Sequence, residues 1–251
     1  MAKLDELVRF LDIELNTANI PDYPGALNGL QLENSGDVSN IGAAVDASLP
    51  VIEKALAEGV DLLLVHHGMF WQGAQAVTRA NYKKLKLAMD AGMAIYSSHI
   101  PLDVHARWGN NILLARALGM QDPQPFFPWK GIELGLSQML DIRFSELLDL
   151  MSDLVGQPVH SCPAGSDMAG RVGVITGGAG SEVAAVHAEG IDTFITGEGP
   201  HWSYPLAEEL GINVIYGGHY ATETFGVRAL ASDLAEQFSI NSVFIDHPTG
   251  L

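Results

Sequence analysis

Two stretches of this chain overlay on one another without a gap. At an offset of 131 residues, IGAAVDASLPVIEKALAEGVDLLLVHHG (41–68) lies over VGVITGGAGSEVAAVHAEGIDTFITGEG (172–199). Gly42, Ala57, Glu58, Gly59, Asp61 and Gly68 fall on Gly173, Ala188, Glu189, Gly190, Asp192 and Gly199, and Trp71 falls on Trp202. A further slip brings AIYSSHIPLD (94–103) over VIYGGHYATE (214–223), so that His99 meets His219 and Asp103 meets Glu223. The shared order of strand, helix, AEG, strand, polar turn, strand and His-x-x-x-acid reads as an internal duplication, which restricts the fold to two units of one design.

The apolar spacing supplies the elements of that design. Leu4, Leu7, Val8, Leu11 and Leu15 predict an amphipathic helix over 3–15. Strands are expected at 41–46, 61–65 and 94–98, with helices at 51–59, 82–91 and 110–118. PQPFFPWKG (123–131) interrupts this grammar with three prolines and marks the expected lobe boundary, giving a first lobe of 1–125 and a second of 126–251. Beyond it the pattern predicts helices at 145–155, 181–189, 203–210 and 222–237, and strands at 171–176, 192–196, 213–216 and 242–246. Such alternation belongs to the α/β class, with mostly parallel sheets covered by helices.

Composition removes several function classes. A hydrophobic share of 47% and a mean hydropathy of +0.16 describe a chain with a real core. No run approaches the roughly 18 apolar residues of a membrane helix, and the acidic MAKLDELVRF start does not read as a signal peptide, so a cytoplasmic location is expected. The single cysteine, Cys162, suits a reducing compartment, and its HSCPAG setting reads as a loop or core thiol rather than a nucleophile. Thirty acidic against 13 basic residues give a formal charge of −17, which opposes nucleic acid and anionic membrane as partners.

The chemistry gathers where strands end. In parallel α/β sheets the carboxyl ends of strands face the ligand crevice. His66 and His67 follow DLLLV, His99 follows AIYSS and His219 follows VIYGG. Asp103 and Glu223 lie four residues after His99 and His219, on the same face if the chain turns helical there. Imidazole with carboxylate is the ligand set of Zn²⁺, Mn²⁺, Fe²⁺ and similar ions. Adjacent side chains diverge, so His66 and His67 suit two neighbouring ions better than one. A histidine pair alone is more often a hydrogen-bonded strand end, and His-x-x-x-Glu alone a solubilising helix pair; their convergence in a repeated design favours metal. TGGAG (176–180) reads as a tight strand–helix turn more than as a phosphate cradle. Glu198, at the repeat position of His67, either lines the crevice or caps a helix. His105, His160, His187, His201 and His247 are expected at the surface or behind the ligands.

NGLQLE (28–33), VHHGMFW (65–71), HIPLDVHARWGNN (99–111), FITGE (194–198) and GGHYATETFGVRAL (217–230) together resemble the NGG-interacting-factor-like proteins, labelled in bacteria as GTP cyclohydrolase I type 2 homologues. The resemblance spans nearly the whole chain. It implies two intertwined α/β lobes, the tail interlinked with the first lobe, and a toroidal homohexamer. It implies a dimetal site in the cleft between the lobes, held by His66, His67, Asp103, His219 and Glu223, with Glu223 bridging and His99 beside the site. The expected cofactors are two divalent ions per chain, with Zn, Mn, Fe, Co and Ni all open. The expected function is a metal-dependent hydrolase acting on a small anionic or cyclic-amide or nucleotide-like substrate, with His99 as base or proton shuttle. The alternative is a non-enzymatic metal-binding regulator or metal-handling protein.

Overall fold

A computed structural model describes residues 1–251. The chain divides into two compact units, Met1–Leu102 with Gly226–His247, and Asp103–Phe225 with Pro248–Leu251. This division differs from a break near residue 125, because the proline-rich segment is not a linker. Gln124–Trp129 is a strand, antiparallel to Ile132–Arg143, and it buries Phe126 and Phe127.

The first unit is built on a five-stranded sheet in the order Asn241–Phe244, Asn40–Asp46, Leu62–His67, Ala94–Ser97, Gly29–Leu32. The first four strands run parallel and the last antiparallel. Leu62–Val65 are all buried, the continuous apolar run that a strand covered on both faces needs. The helix that follows Asn40–Asp46 is Leu49–Ala57. Ser48 caps it by accepting from the Val51 N–H at 3.4 Å, and Pro50 sits in the first turn, where a missing N–H costs little. Val51, Ile52 and Ala55 then pack against Leu63, Val65 and Ile95.

The second unit holds a six-stranded sheet in the order Gln124–Trp129, Ile132–Arg143, Met168–Val174, Thr193–Thr196, Asn213–Tyr216, His160–Pro163. Its three central neighbours, Met168–Val174, Thr193–Thr196 and Asn213–Tyr216, are parallel. Alternate residues serve two cores: Val172, Val174, Ile195 and Ile215 face Leu147 and Met151, whereas Phe194 and Val214 join Val183, Val186 and Ala207. Cys162 is fully buried in this second core, and burial, with the charge of Glu208, pushes its thiol up and away from thiolate chemistry.

The two sheets share a register as well as an order. Ile41 pairs Leu62 as Val172 pairs Thr193, which keeps the 131-residue offset. In the next ladder Leu62 pairs Ala94 and Thr193 pairs Asn213, so Ala94 corresponds to Asn213 and not to Val214. The second unit therefore has one extra residue between strand and histidine, taken up at Gly218 with a left-handed φ of +93°. No helix is long and apolar enough to cross a membrane.

The strand Ile132–Arg143 is the longest in the chain and lies outside the expected elements. Ile132, Leu134, Leu136, Leu140 and Ile142 are half-covered and alternate with Glu133, Gly135, Ser137, Asp141 and Arg143, the period of a strand with one covered face rather than a continuous apolar run. Leu63→Ala, at a fully buried position of a central strand, is expected to destabilise the protein by about 3 kcal/mol. Ile13→Ser, at an exposed helix position, is expected to stay within about 0.5 kcal/mol. Urea unfolding of both variants reads the contrast.

Candidate metal centre

In the first unit, His66 and His67 are the last two residues of Leu62–His67, so the strand runs through the pair instead of ending before it. His66 is fully buried, with Nδ1 2.9 Å from the Ser98 carbonyl oxygen. A carbonyl can only accept, so Nδ1 donates, and the lone pair of the neutral ring is left at Nε2. His67 Nδ1 lies 2.9 Å from Asp46 Oδ1, and Asp46 sits opposite it in the parallel ladder. His99 Nδ1 lies 2.8 Å from Asp22 Oδ1.

Asp22 is itself held. Its Oδ2 accepts from Asn28 Nδ2 at 2.8 Å and from the Ile100 N–H at 2.9 Å, while Asn28 Oδ1 accepts the His99 N–H at 2.8 Å. Burial works against this carboxylate, but the bonds and charge of His99, with bonds from Asn28 and the Tyr23 N–H, hold it below the usual carboxylate range. The three imidazoles converge: His66 lies 4.8 Å from His67 and 4.9 Å from His99, centroid to centroid. One ring nitrogen from each falls within 4.8 Å of the others. The expected divergence of the adjacent pair does not keep either ring from meeting His99. Trp71 sets its ring at right angles to His99, 4.6 Å away.

The second unit carries its own cluster. His219 Nδ1 lies 2.8 Å from Glu198 Oε1, and His219 Nε2 lies 3.2 Å from Glu223 Oε2, one helical turn on. Glu198 thus lines the site rather than capping a helix. Burial disfavours a charged His219, yet the bonds and charges of Glu223 and then Glu198 raise its imidazole to about 9. Glu223 is 2% exposed. Gly177 makes room for it: a Cβ there would stand 2.2 Å from Glu223 Oε1, and its φ is +69°. The Gly177 carbonyl also accepts from the N–H groups of Gly197 and Glu198, so TGGAG works as a packing turn. Asp103 is buried in this unit, accepting from Asn110 Nδ2 at 2.8 Å, with Thr176 Oγ1 3.4 Å away. Asn111 orients Thr176, taking its N–H at 2.9 Å and its hydroxyl at 3.0 Å.

Sequence reasoning did not single out Asp22, Asn28, Asp46, Asn110, Asn111 or Thr176. Asp46 closes the first repeated strand, and the two Asn of GNN follow Asp103 closely, but their roles are written only in the register. Of the remaining histidines, His105 serves its own loop, Nδ1 accepting the Trp108 N–H at 3.0 Å.

The profile of the family described as Duf34/NIF3 (NGG1p interacting factor 3) matches residues 2–250. A relative from Deinococcus radiodurans, named GTP cyclohydrolase 1 type 2 homolog, is 41% identical over 249 residues, covering 98% of this chain and 94% of the relative. Among solved structures, TTHA1606 from Thermus thermophilus superposes with a TM-score of 0.87 at 39% identity, covering 99% of this chain and 100% of that one. A protein described as ybgI, of unknown function, gives 0.90 at 34% identity over 99% of this chain and 100% of its own.

The His219 cluster makes a signed prediction for the metal-free protein. Its folded-state value of about 9 exceeds the ordinary 6.5, so its contribution is complete below about pH 6.5 and lost as the pH rises through about 9. Melting temperatures of metal-stripped protein should fall over that window. The fall should be shallower in His219→Gln; equal slopes would break the linkage.

Proposed function

Since the chain belongs to the Duf34/NIF3 family, we propose that it binds two divalent metal ions through His66, His67, Asp103, His219 and Glu223, and serves as a metal-dependent hydrolase. The observation that carries this reading is the treatment of Nδ1. In His66, His67, His99 and His219 that nitrogen is engaged by a carbonyl or carboxylate oxygen. Metal-ligating histidines are held in this way, because the second bond fixes the tautomer and ring and raises the basicity of the nitrogen offered to the metal. Asp103 and Glu223 add two buried carboxylates. We further propose that the two clusters belong to one dinuclear site, that the repeated strand order reflects a duplication, and that the chains assemble as hexamers. Light scattering that finds only 26.8 kDa monomers would remove the last.

When bound, divalent ions acidify water toward a pKa of about 7 and polarise a carbonyl or phosphoryl oxygen. This chain's residues do the rest. His66 and His67 are held rigidly by Ser98 and Asp46, so the ligand positions are fixed before any substrate arrives. His99, oriented by Asp22, offers Nε2 to take and return a proton during hydrolysis. Two divalent ions outweigh the charges of Asp103 and Glu223, which gives an anionic or carbonyl-bearing substrate a positive landing point in a chain of −17. A second reading of His99 follows from its ring nitrogen lying within 4.8 Å of those of His66 and His67: it is itself a ligand. The non-enzymatic reading, a metal-handling or regulatory protein, uses the same ligands without turnover.

Elemental analysis should find about two divalent ions per chain in the wild type. At least one should be lost in Glu223→Gln and in His67→Ala. Asp46→Asn should weaken metal affinity about 10- to 100-fold. Unchanged metal in the first two variants would sink the assignment.

His99→Ala separates the roles. Metal retained with hydrolysis lost marks a proton shuttle; metal lost marks a ligand. Hydrolysis of phosphodiesters, nucleotides and cyclic amides should appear when Mn²⁺, Zn²⁺, Fe²⁺ or Co²⁺ is returned to stripped protein. Activity that survives both His66→Ala and Asp103→Asn would leave the non-enzymatic reading in its place.

A further inference from the structure

A cavity of about 600 Å³ lies wholly within the second unit and shares Glu198 with the His219 cluster. Its other chemistry-bearing walls are His160, Tyr204, Tyr216, Gln157 and His201. Three elements bring the aromatic groups together: the edge strand His160–Pro163, the helix Ser203–Leu210 and the strand Asn213–Tyr216. His160 pairs with Tyr216 across the ladder, and its ring lies nearly parallel to that of Tyr216, 5.8 Å away at 22°. It lies almost as flat against Tyr204, 5.5 Å away at 28°. Tyr216 is fixed at its far end by a 2.8 Å hydrogen bond with Ser203 Oγ.

The tyrosines pack on one side against the core of Phe194 and Val214, and the trio ends at the surface with His160. His160 is exposed, and Tyr204 and Tyr216 are half-buried. The two tyrosines stack on His160, so the exposed His160 ring is the surface on which a further planar group can stack, an attraction that depends on ring shape and not on charge. On the polar side of the same cavity Glu198 supplies an acceptor. Glu198 places Oε1 on His219, and its side chain, 42% exposed, has a second oxygen able to accept an N–H.

We propose that this cavity binds a planar, amino-substituted nitrogen heterocycle, stacked on the His160–Tyr204–Tyr216 wall with its exocyclic amino group donating to Glu198. Glu198 would then touch the ligand with one oxygen and His219 with the other, so occupancy of the cavity is sensed at the His219 cluster. The inference deepens the hydrolase reading by naming a substrate class. It rests on that reading for its chemical purpose, but the binding itself requires no metal.

The test is calorimetric titration of metal-free and metal-loaded protein with guanosine, adenosine and cytidine, beside xanthosine, inosine and uridine, in which that amino group is replaced by oxygen, and ribose, which lacks the base. At least one amino-bearing nucleoside should bind, more tightly than its deaminated counterpart, and ribose should not. Tyr204→Leu and His160→Ala should each weaken it about tenfold or more, in line with the loss of one stacking surface, while elemental analysis finds their metal content unchanged. Silence from all three amino-bearing nucleosides, ribose binding equal to theirs, or full affinity in both variants would overturn the proposal. Nucleoside binding in a wild type that takes up no metal would uphold the cavity and remove the hydrolase reading. Metal uptake without nucleoside binding would do the reverse.

Discussion

One ring nitrogen of an imidazole can be directed only if the other is held, and the architecture around the candidate site follows from that constraint. A free imidazole exchanges its proton between two nitrogens and rotates about two torsions. Fixing Nδ1 to an acceptor removes the wrong tautomer and most of the rotation at once. The acceptors for His66, His67, His99 and His219 are Ser98, Asp46, Asp22 and Glu198, and each lies 21 or more residues from its histidine along the chain. Only a structure that brings distant strand ends level can supply them.

Parallel strands covered on both faces do this. Asp46 and His67 meet because Asn40–Asp46 and Leu62–His67 are in register, and Ser98 reaches His66 because Ala94–Ser97 lies on the other side of the same strand. Slipping either ladder by one residue would turn the side chains to the opposite face. A slip is resisted by the close packing of Leu62, Leu63, Leu64 and Val65, all buried, because a shift would force each into a space shaped for its neighbour. The apolar core thus sets the site geometry through register, without touching the ligands.

The same reasoning explains what could be read from the residues alone. Leu4, Leu7 and Leu11 announced their helix, and the buried runs at 41–46 and 62–65 announced their strands, because burial and period are local properties. His66, His67, His99 and His219 were legible as strand-end residues for the same reason. Asp22 and Asp46 were not, since nothing in the neighbourhood of either shows that a histidine will arrive 77 or 21 residues later. The strand Ile132–Arg143 does carry a period-2 signal in Ile132, Leu134, Leu136, Leu140 and Ile142, but the prolines at 123–128 made the preceding segment look like a linker and concealed the strand that pairs with it. Proline is tolerated there because Gln124–Trp129 is the edge of its sheet.

Acidity looks at first like a poor setting for so many carboxylates, yet it fits the cluster in the second unit. Glu198 and Glu223 flank His219, and in the metal-free protein the positive charge between them is a proton on the imidazole, held up to about 9. A divalent ion taken up at Nε2 would displace that proton and leave the carboxylates facing a positive centre in both states. The cluster is then never a bare group of anions, so it need not unfold or scatter when metal is absent. Metal uptake there would exchange a cation for a proton and so strengthen as the pH rises. In a chain carrying −17, the long-range field attracts cations, and the paired histidine and glutamate would decide at which atoms such a charge is held.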